Sequence, residues 1–124
     1  MANPPLILVV DDDESVRESL QSLLRSVGFA VKVFASAEEF LKASFSCDSD
    51  CLILDVRMPG MSGIELHRHL VASDCEVPVI FITAHGSDEG VRSRSLKDGA
   101  VGYLVKPFSE DALLNAVRTA LGSK

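Results

Sequence analysis

The sequence predicts an α/β domain built on a doubly wound, five-stranded parallel sheet, and three observations predict it. Short apolar runs rich in β-branched residues alternate with stretches of helical period from end to end, the pattern of βαβ units. The clearest runs are Leu6–Val10, Cys51–Leu54, Val79–Ile82 and Val101–Val105. At or just past the C-terminal end of each stands a polar residue: Asp11 and Asp12, Asp55, Thr83, Lys106. If the runs are parallel strands of one sheet, all five side chains emerge at one sheet edge, where open α/β folds bind ligands.

The elements follow in order. After the first strand, Val16, Leu20, Leu23, Leu24 and Val27 recur at i, i+4, i+7, i+8 and i+11, one apolar face of a helix. Gly28 sits where a left-handed C-cap residue is wanted. Ala30 to Phe34 reads as the second strand. Ser36-Ala-Glu-Glu39 is a capping box for a second helix carrying Phe40 and Leu41, and Ser62-Gly-Ile-Glu65 repeats the device for a third. The chain turns between Cys75 and Pro78 into the fourth strand. A helix over 90–97 is flanked by Gly86, Gly90 and Gly99 and has Val91 and Leu96 as its large apolar residues, so it is expected to be mobile. A last helix, Ser109 to Leu121, presents Leu113, Leu114, Val117 and Leu121. Right-handed crossovers leave few topologies for five such units.

A chain of 124 residues supports one core, so one domain over 1–124 is expected, with its core roughly at 5–121. Apolar residues at 47% and charged ones at 24% exclude a disordered chain. A net charge of −6 gives no basic face for phosphate contacts, which argues against nucleic-acid binding. No apolar run reaches the ~20 residues of a membrane span, and no basic-then-apolar leader opens the chain, so a cytoplasmic location is expected. Cys47, Cys51 and Cys75 lack paired metal spacing and read as small buried or half-buried thiols. His67 and His69, two apart on a helix, face different ways and read as solvated surface.

Three carboxylates at one sheet edge raise an electrostatic problem. Two like charges ~4 Å apart repel by ~4 kcal/mol at an effective dielectric of ~20. Asp11, Asp12 and Asp55 therefore call for a cation, and oxygen donors alone suit Mg²⁺. Asp13 suits the dipole at the start of the first helix. Asp55 is the candidate nucleophile, since a carboxylate can accept a phosphoryl group covalently once metal and cations offset its charge. Lys106 can reach back to pair with Asp55 at rest and with phosphoryl oxygens after transfer. Thr83 ends its strand with a hydroxyl able to donate to the same group.

The segments Val9-Val-Asp-Asp12, Leu54-Asp-Val-Arg-Met-Pro-Gly60, Ile82-Thr-Ala84 and Val105-Lys-Pro-Phe108 resemble the signature of receiver domains of bacterial two-component response regulators. The resemblance spans roughly residues 5 to 121, with the motifs in order and at family spacing; Asp-Val-Arg-Met-Pro-Gly-Met-Ser-Gly is closest in wording to the FixJ branch. It implies a CheY-like (flavodoxin-like) strand order of 2-1-3-4-5 and metal binding by Asp11, Asp12 and Asp55, with the backbone carbonyl of Arg57 as a further ligand. It also implies a cis Lys106–Pro107 bond and Tyr103 as an aromatic that turns inward when Thr83 moves. The residues alone would place Tyr103 in the core. The side chains of Arg57 and His85 flank the site mouth and are expected to gate water there, tuning phosphoryl lifetime.

The implied function is a phosphorylation-controlled switch. A histidine kinase donates to Asp55 with Mg²⁺ bound, the receiver catalyses the transfer and a slow hydrolysis, and the face over 84–105 changes. The fourth helix and fifth strand would then pair two copies, or engage an effector outside this chain that controls transcription. Two rivals fare worse. A phosphohydrolase of the haloacid dehalogenase kind wants a second acid two residues past its nucleophile, where this chain has Arg57. A flavin or nucleotide binder wants a Gly-rich loop after the first strand, where Asp11-Asp-Asp13 would repel phosphate.

Overall fold

A computed structural model of the chain describes residues 4–43, 49–84 and 99–122. Five parallel strands, β1 (Leu6–Val10), β2 (Ala30–Phe34), β3 (Cys51–Asp55), β4 (Val79–Thr83) and β5 (Gly102–Val105), form one sheet in the order β2-β1-β3-β4-β5. Helices α1 (Glu14–Ser26), α2 (Ala37–Lys42) and α3 (Gly63–Ala72) lie between strands, and a C-terminal helix (Glu110–Gly122) closes the chain. The helix expected over 90–97 lies outside the described residues, as does His85.

The three central strands are buried along nearly their whole length because helices cover both faces, which is why their sequences do not alternate. Period two then sorts their side chains between two cores. Leu8, Val10, Leu52, Leu54, Val79 and Phe81 join Phe40, Leu66 and Leu70 from α2 and α3. Ile7, Val9, Cys51, Ile53, Ile80 and Ile82 join Leu20 and Leu24 of α1 and Leu113 and Val117 of the C-terminal helix. β5, at the sheet edge, is half-buried, and Val105 is exposed.

The local signals resolve individually. Asp13 caps α1 through Ser15 N–H, and Gly28 takes φ +99° just beyond the helix. Ser62 and Glu65 form a complete capping box on α3. The box expected at α2 is half present: Ser36 accepts from Glu39 N–H at 3.0 Å, but Glu39 reaches back to Ala35 N–H rather than to the cap residue itself. Ser109 caps the C-terminal helix through Ala112 N–H. The Lys106–Pro107 bond is cis, as expected.

Two sequence expectations need correction. His67 is buried at 5% exposure, its ring edge-on to Phe81 at 5.3 Å, while His69 is exposed. The helical period of α3 does separate the two histidines, but one of the two directions is the core. Cys75 is disulfide-bonded, with its partner outside the described residues, so it is not a thiol; Cys51 is the buried thiol expected at the start of β3, outside any disulfide.

Candidate functional site

The register of the sheet builds the site. Val10 pairs with Leu54 across β1 and β3, so Asp11 and Asp12 leave β1 beside Asp55. Asp55 in turn pairs with Ile82 of β4, which sets Thr83 one residue beyond, and Thr83 pairs with Val105 of β5. The Lys106 N–H then donates to the Thr83 carbonyl at 2.7 Å, turning the chain at that point. Parallel strands of matched length therefore deliver all five predicted side chains to one edge.

Carboxylate oxygens of Asp11, Asp12 and Asp55 lie within 4.8 Å of one another. Asp11 is fully buried and well satisfied: Oδ1 accepts from Asp13 N–H and Oδ2 from Lys106 Nζ, each at 2.8 Å. The guanidinium of Arg17, in the first turn or so of α1, donates to the Asp11 carbonyl at 2.8 Å. Asp12 is exposed at the mouth and Asp55 is buried behind it. Lys106 was expected to pair with Asp55 at rest; it stands 3.8 Å from Asp55 Oδ2 and a full ångström closer to Asp11. Its charge faces both, but its hydrogen bond belongs to Asp11, the carboxylate with no water to fall back on.

Asp55 is consequently under-neutralised. Burial, then the Asp11 charge, push its carboxyl up to about 7, and a hydrogen bond shared with Asp12 adds to this; Lys106 and the Arg57 N–H oppose them. The Arg57 N–H donates to Asp55 Oδ1 at 3.3 Å, which places the Arg57 backbone beside the cluster while its side chain is exposed. Three oxygen donors converging around a carboxyl that resists ionisation fit a hard divalent cation, whose charge would relieve that resistance.

Thr83 is 1% exposed at the end of β4. Tyr103 is half-buried on β5, with its ring 6.5 Å from Phe81. One feature escaped the sequence reading. A Cβ on Gly63 would overlap the Asp55 carbonyl oxygen and stand 2.9 Å from its carbon, so the start of α3 presses on the Asp55 backbone. Its N–H also donates to the Val56 carbonyl at 3.0 Å. A glycine just inside a capping box was the available signal, but it says nothing of which backbone lies opposite.

An apolar hollow of about 540 Å³ flanks the site between α1 and the stretch after β5, lined by Val16, Leu20, Ala84, Pro107 and Phe108. Among the described residues no helix is long and apolar enough to cross a membrane.

A five-stranded parallel sheet in this order, with acids beyond β1 and β3 and a lysine beyond β5, defines a CheY- and FixJ-like α/β fold. The chain belongs to the response regulator receiver domain family, whose model matches residues 7–118. The response regulator protein TmoT of Ectopseudomonas mendocina is 47% identical over 116 residues, covering 94% of this chain and 52% of TmoT. The transcriptional regulatory protein FixJ of Azorhizobium caulinodans is 46% identical over 114 residues, 92% of this chain and 54% of its own length. The crystal structure of FixJ-N superposes with a TM-score of 0.87 at 39% identity, covering 99% of this chain and 98% of that one. The chain thus spans about half the length of the curated relatives it matches.

Proposed function

We propose that this chain is the phosphoacceptor of a two-component system, taking a phosphoryl group from a sensor histidine kinase onto Asp55. The observation that carries the reading is the cluster of Asp11, Asp12 and Asp55 within 4.8 Å, with Lys106 held beside it. In the proposed step an Asp55 carboxylate oxygen attacks phosphorus, the bond from phosphorus to the donor nitrogen breaks, and an acyl phosphate forms. The donor imidazole leaves with the electron pair of that bond.

Each residue has a part in that step. Asp11, Asp12 and Asp55, with the backbone carbonyl of Arg57, would hold Mg²⁺. Bound there, the ion supplies charge neutralisation for the carboxylates and the incoming phosphoryl oxygens. Lys106, 2.8 Å from Asp11 and 3.8 Å from Asp55, pairs with a phosphoryl oxygen once Asp55 is phosphorylated. Thr83 donates its hydroxyl to another and moves with it. Tyr103 and the 84–105 face then shift between two pre-existing arrangements. That face would engage a second copy or an effector region outside this chain, and the transcriptional regulators among its relatives make transcription the proposed output. Such a receiver is a switch that catalyses its own modification and a slow hydrolysis, rather than an enzyme acting on a metabolite. The reading places it in the cytoplasm, where its donor's catalytic part resides.

The test is incubation with Mg²⁺ and acetyl phosphate, or beryllofluoride as a stable mimic, read by mass spectrometry and amide NMR. A Mg²⁺-dependent adduct missing from Asp55→Asn, with shifts spreading through 84–105, is the expected result. An adduct that persists in Asp55→Asn, or none in the wild type, would refute it.

A further inference from the structure

Glu38 and Glu39 stand side by side in the first turn of α2, and the fold turns them to different partners. Glu39 stays with its own helix start, close to the Ala35 N–H. Glu38 reaches away from its helix: Oε2 accepts from the Met61 N–H at 3.0 Å, across 23 residues of chain. Met61 lies near the end of the loop that begins at Asp55. Gly60, just before it, is left-handed at φ +76°, and a Cβ built there would stand 2.8 Å from the same Glu38 oxygen. The carboxylate therefore lies against the Gly60 backbone as well as on the Met61 N–H. The Met61 N–H is the main reason the Glu38 carboxyl sits below the ordinary range, with its own N–H second.

The loop between Asp55 and α3 is anchored at several points. Its first end is tied by the Arg57 N–H to Asp55 Oδ1, and its last by the Ser62–Glu65 capping box. The Val56 N–H is also held by the Ile82 carbonyl of β4 at 2.9 Å, at the start of the loop, whereas Glu38 is a side chain that arrives from another helix and grips near its far end. We propose that Glu38 is a positioning residue for the phosphoacceptor loop, holding Gly60 and Met61 from α2 so that the Arg57 backbone stays beside the carboxylate cluster. The inference rests on the function proposed above and deepens it, by naming what keeps the loop in place before any ligand arrives. A loop tied at its ends alone is free to swing its middle; a charge-assisted bond near its far end removes that freedom in advance. The interaction is exposed to solvent, so its effect is on loop order rather than on global stability.

The experiment uses the full chain as wild type, Glu38→Ala and Glu38→Gln. Amide hydrogen exchange at Met61 and Arg57 is read in chelator, and Mg²⁺ affinity by NMR titration. In Glu38→Ala the Met61 amide should exchange about tenfold faster and Mg²⁺ should bind about three- to tenfold more weakly, with helix content unchanged. Glu38→Gln keeps an amide oxygen as acceptor and should recover much of both effects, which a loss of general helix stability would not. Should Glu38→Ala fail to fold, Glu38→Asp, one methylene too short to reach, replaces it. Unchanged Met61 exchange, or equal Mg²⁺ affinity in a variant of a wild type that binds Mg²⁺, overturns the inference alone. A wild type that ignores Mg²⁺ overturns the proposed function and this inference with it.

Discussion

Replacing Asp55 with Asn removes one negative charge from a crowded site, and the metal-free protein should gain stability from the change. A carboxyl raised from 3.8 to about 7 by burial and by Asp11 carries a ceiling of about 4 kcal/mol of destabilisation. Solvent at the mouth, beside exposed Asp12, screens this to about 2 kcal/mol. The sign follows from proton counting. Between pH ~4 and ~7 the folded protein holds a proton on Asp55 that the unfolded chain has released, so wild-type stability falls as pH rises through that window. Above pH ~7 both states are ionised and the penalty is complete; below pH ~4 both are protonated and it vanishes. Asn does not titrate and lacks the slope. Urea unfolding in chelator should therefore show Asp55→Asn with a midpoint about 1 M higher at pH 8.5, taking an m-value of ~2 kcal/mol/M. At pH 5 the gain should be less than half as large. Added Mg²⁺ should stabilise the wild type far more than the variant, by preferential binding to the folded state. A gain of equal size at both pH values, or a loss at pH 8.5, would show that Asp55 is not held near 7 by burial and Asp11.

Other outcomes follow from the same geometry. Lys106→Met should destabilise the chelated protein by about 2–3 kcal/mol in urea, because the fully buried Asp11 loses its close partner; no loss would mean that the Lys106–Asp11 pair contributes nothing to stability. Gly63→Ala should lower stability by about 1–3 kcal/mol and slow adduct formation with acetyl phosphate, since its methyl group displaces the Asp55 carbonyl; a variant with wild-type melting and adduct rate would mean the start of α3 can retreat freely. His67→Ala should cost about 2 kcal/mol by calorimetry, and His69→Ala under about 0.5 kcal/mol, since one ring is buried against Phe81 and the other is exposed. Tyr103 is the one tyrosine in a chain without tryptophan, so intrinsic fluorescence should change on beryllofluoride addition if its ring moves. A flat signal in a protein shown by NMR to bind the mimic would remove Tyr103 from the switch.

Much of the fold is legible in the chain because strand runs, helix periods and caps are short-range signals. Leu6–Val10 and Ala30–Phe34 emerge with the boundaries read from sequence, Asp55 and Thr83 extend their strands by one residue, and Val101 drops from β5. The edge of the sheet that gathers Asp11, Asp12, Asp55 and Lys106 is legible too, since parallel strands end together and their next residues must meet. Which charges pair there is not. Asp11 and Asp12 are neighbours in sequence, yet one is sealed and the other exposed, and Lys106 follows the sealed one because an ion pair is worth most where water is excluded.

Contacts between elements distant in sequence were decided by tertiary structure alone. The capping position marks Glu39 for its own helix start, but nothing local points Glu38 to Met61, since their spacing carries no period; the lateral placement of α2 against the β3–α3 loop makes that contact. His67 is buried rather than solvated because α3 rotates it onto Phe81, a rotation set by Leu66 and Leu70 seeking the same core. Gly63 matters for a carbonyl eight residues earlier, which comes opposite it once the chain after β3 has folded back. The sequence by itself determined which residues could form strands, helices and a charged edge, because those depend on neighbours within a few positions. Rotation, register and burial fixed what each charge and ring meets, because those depend on how the elements close on one another.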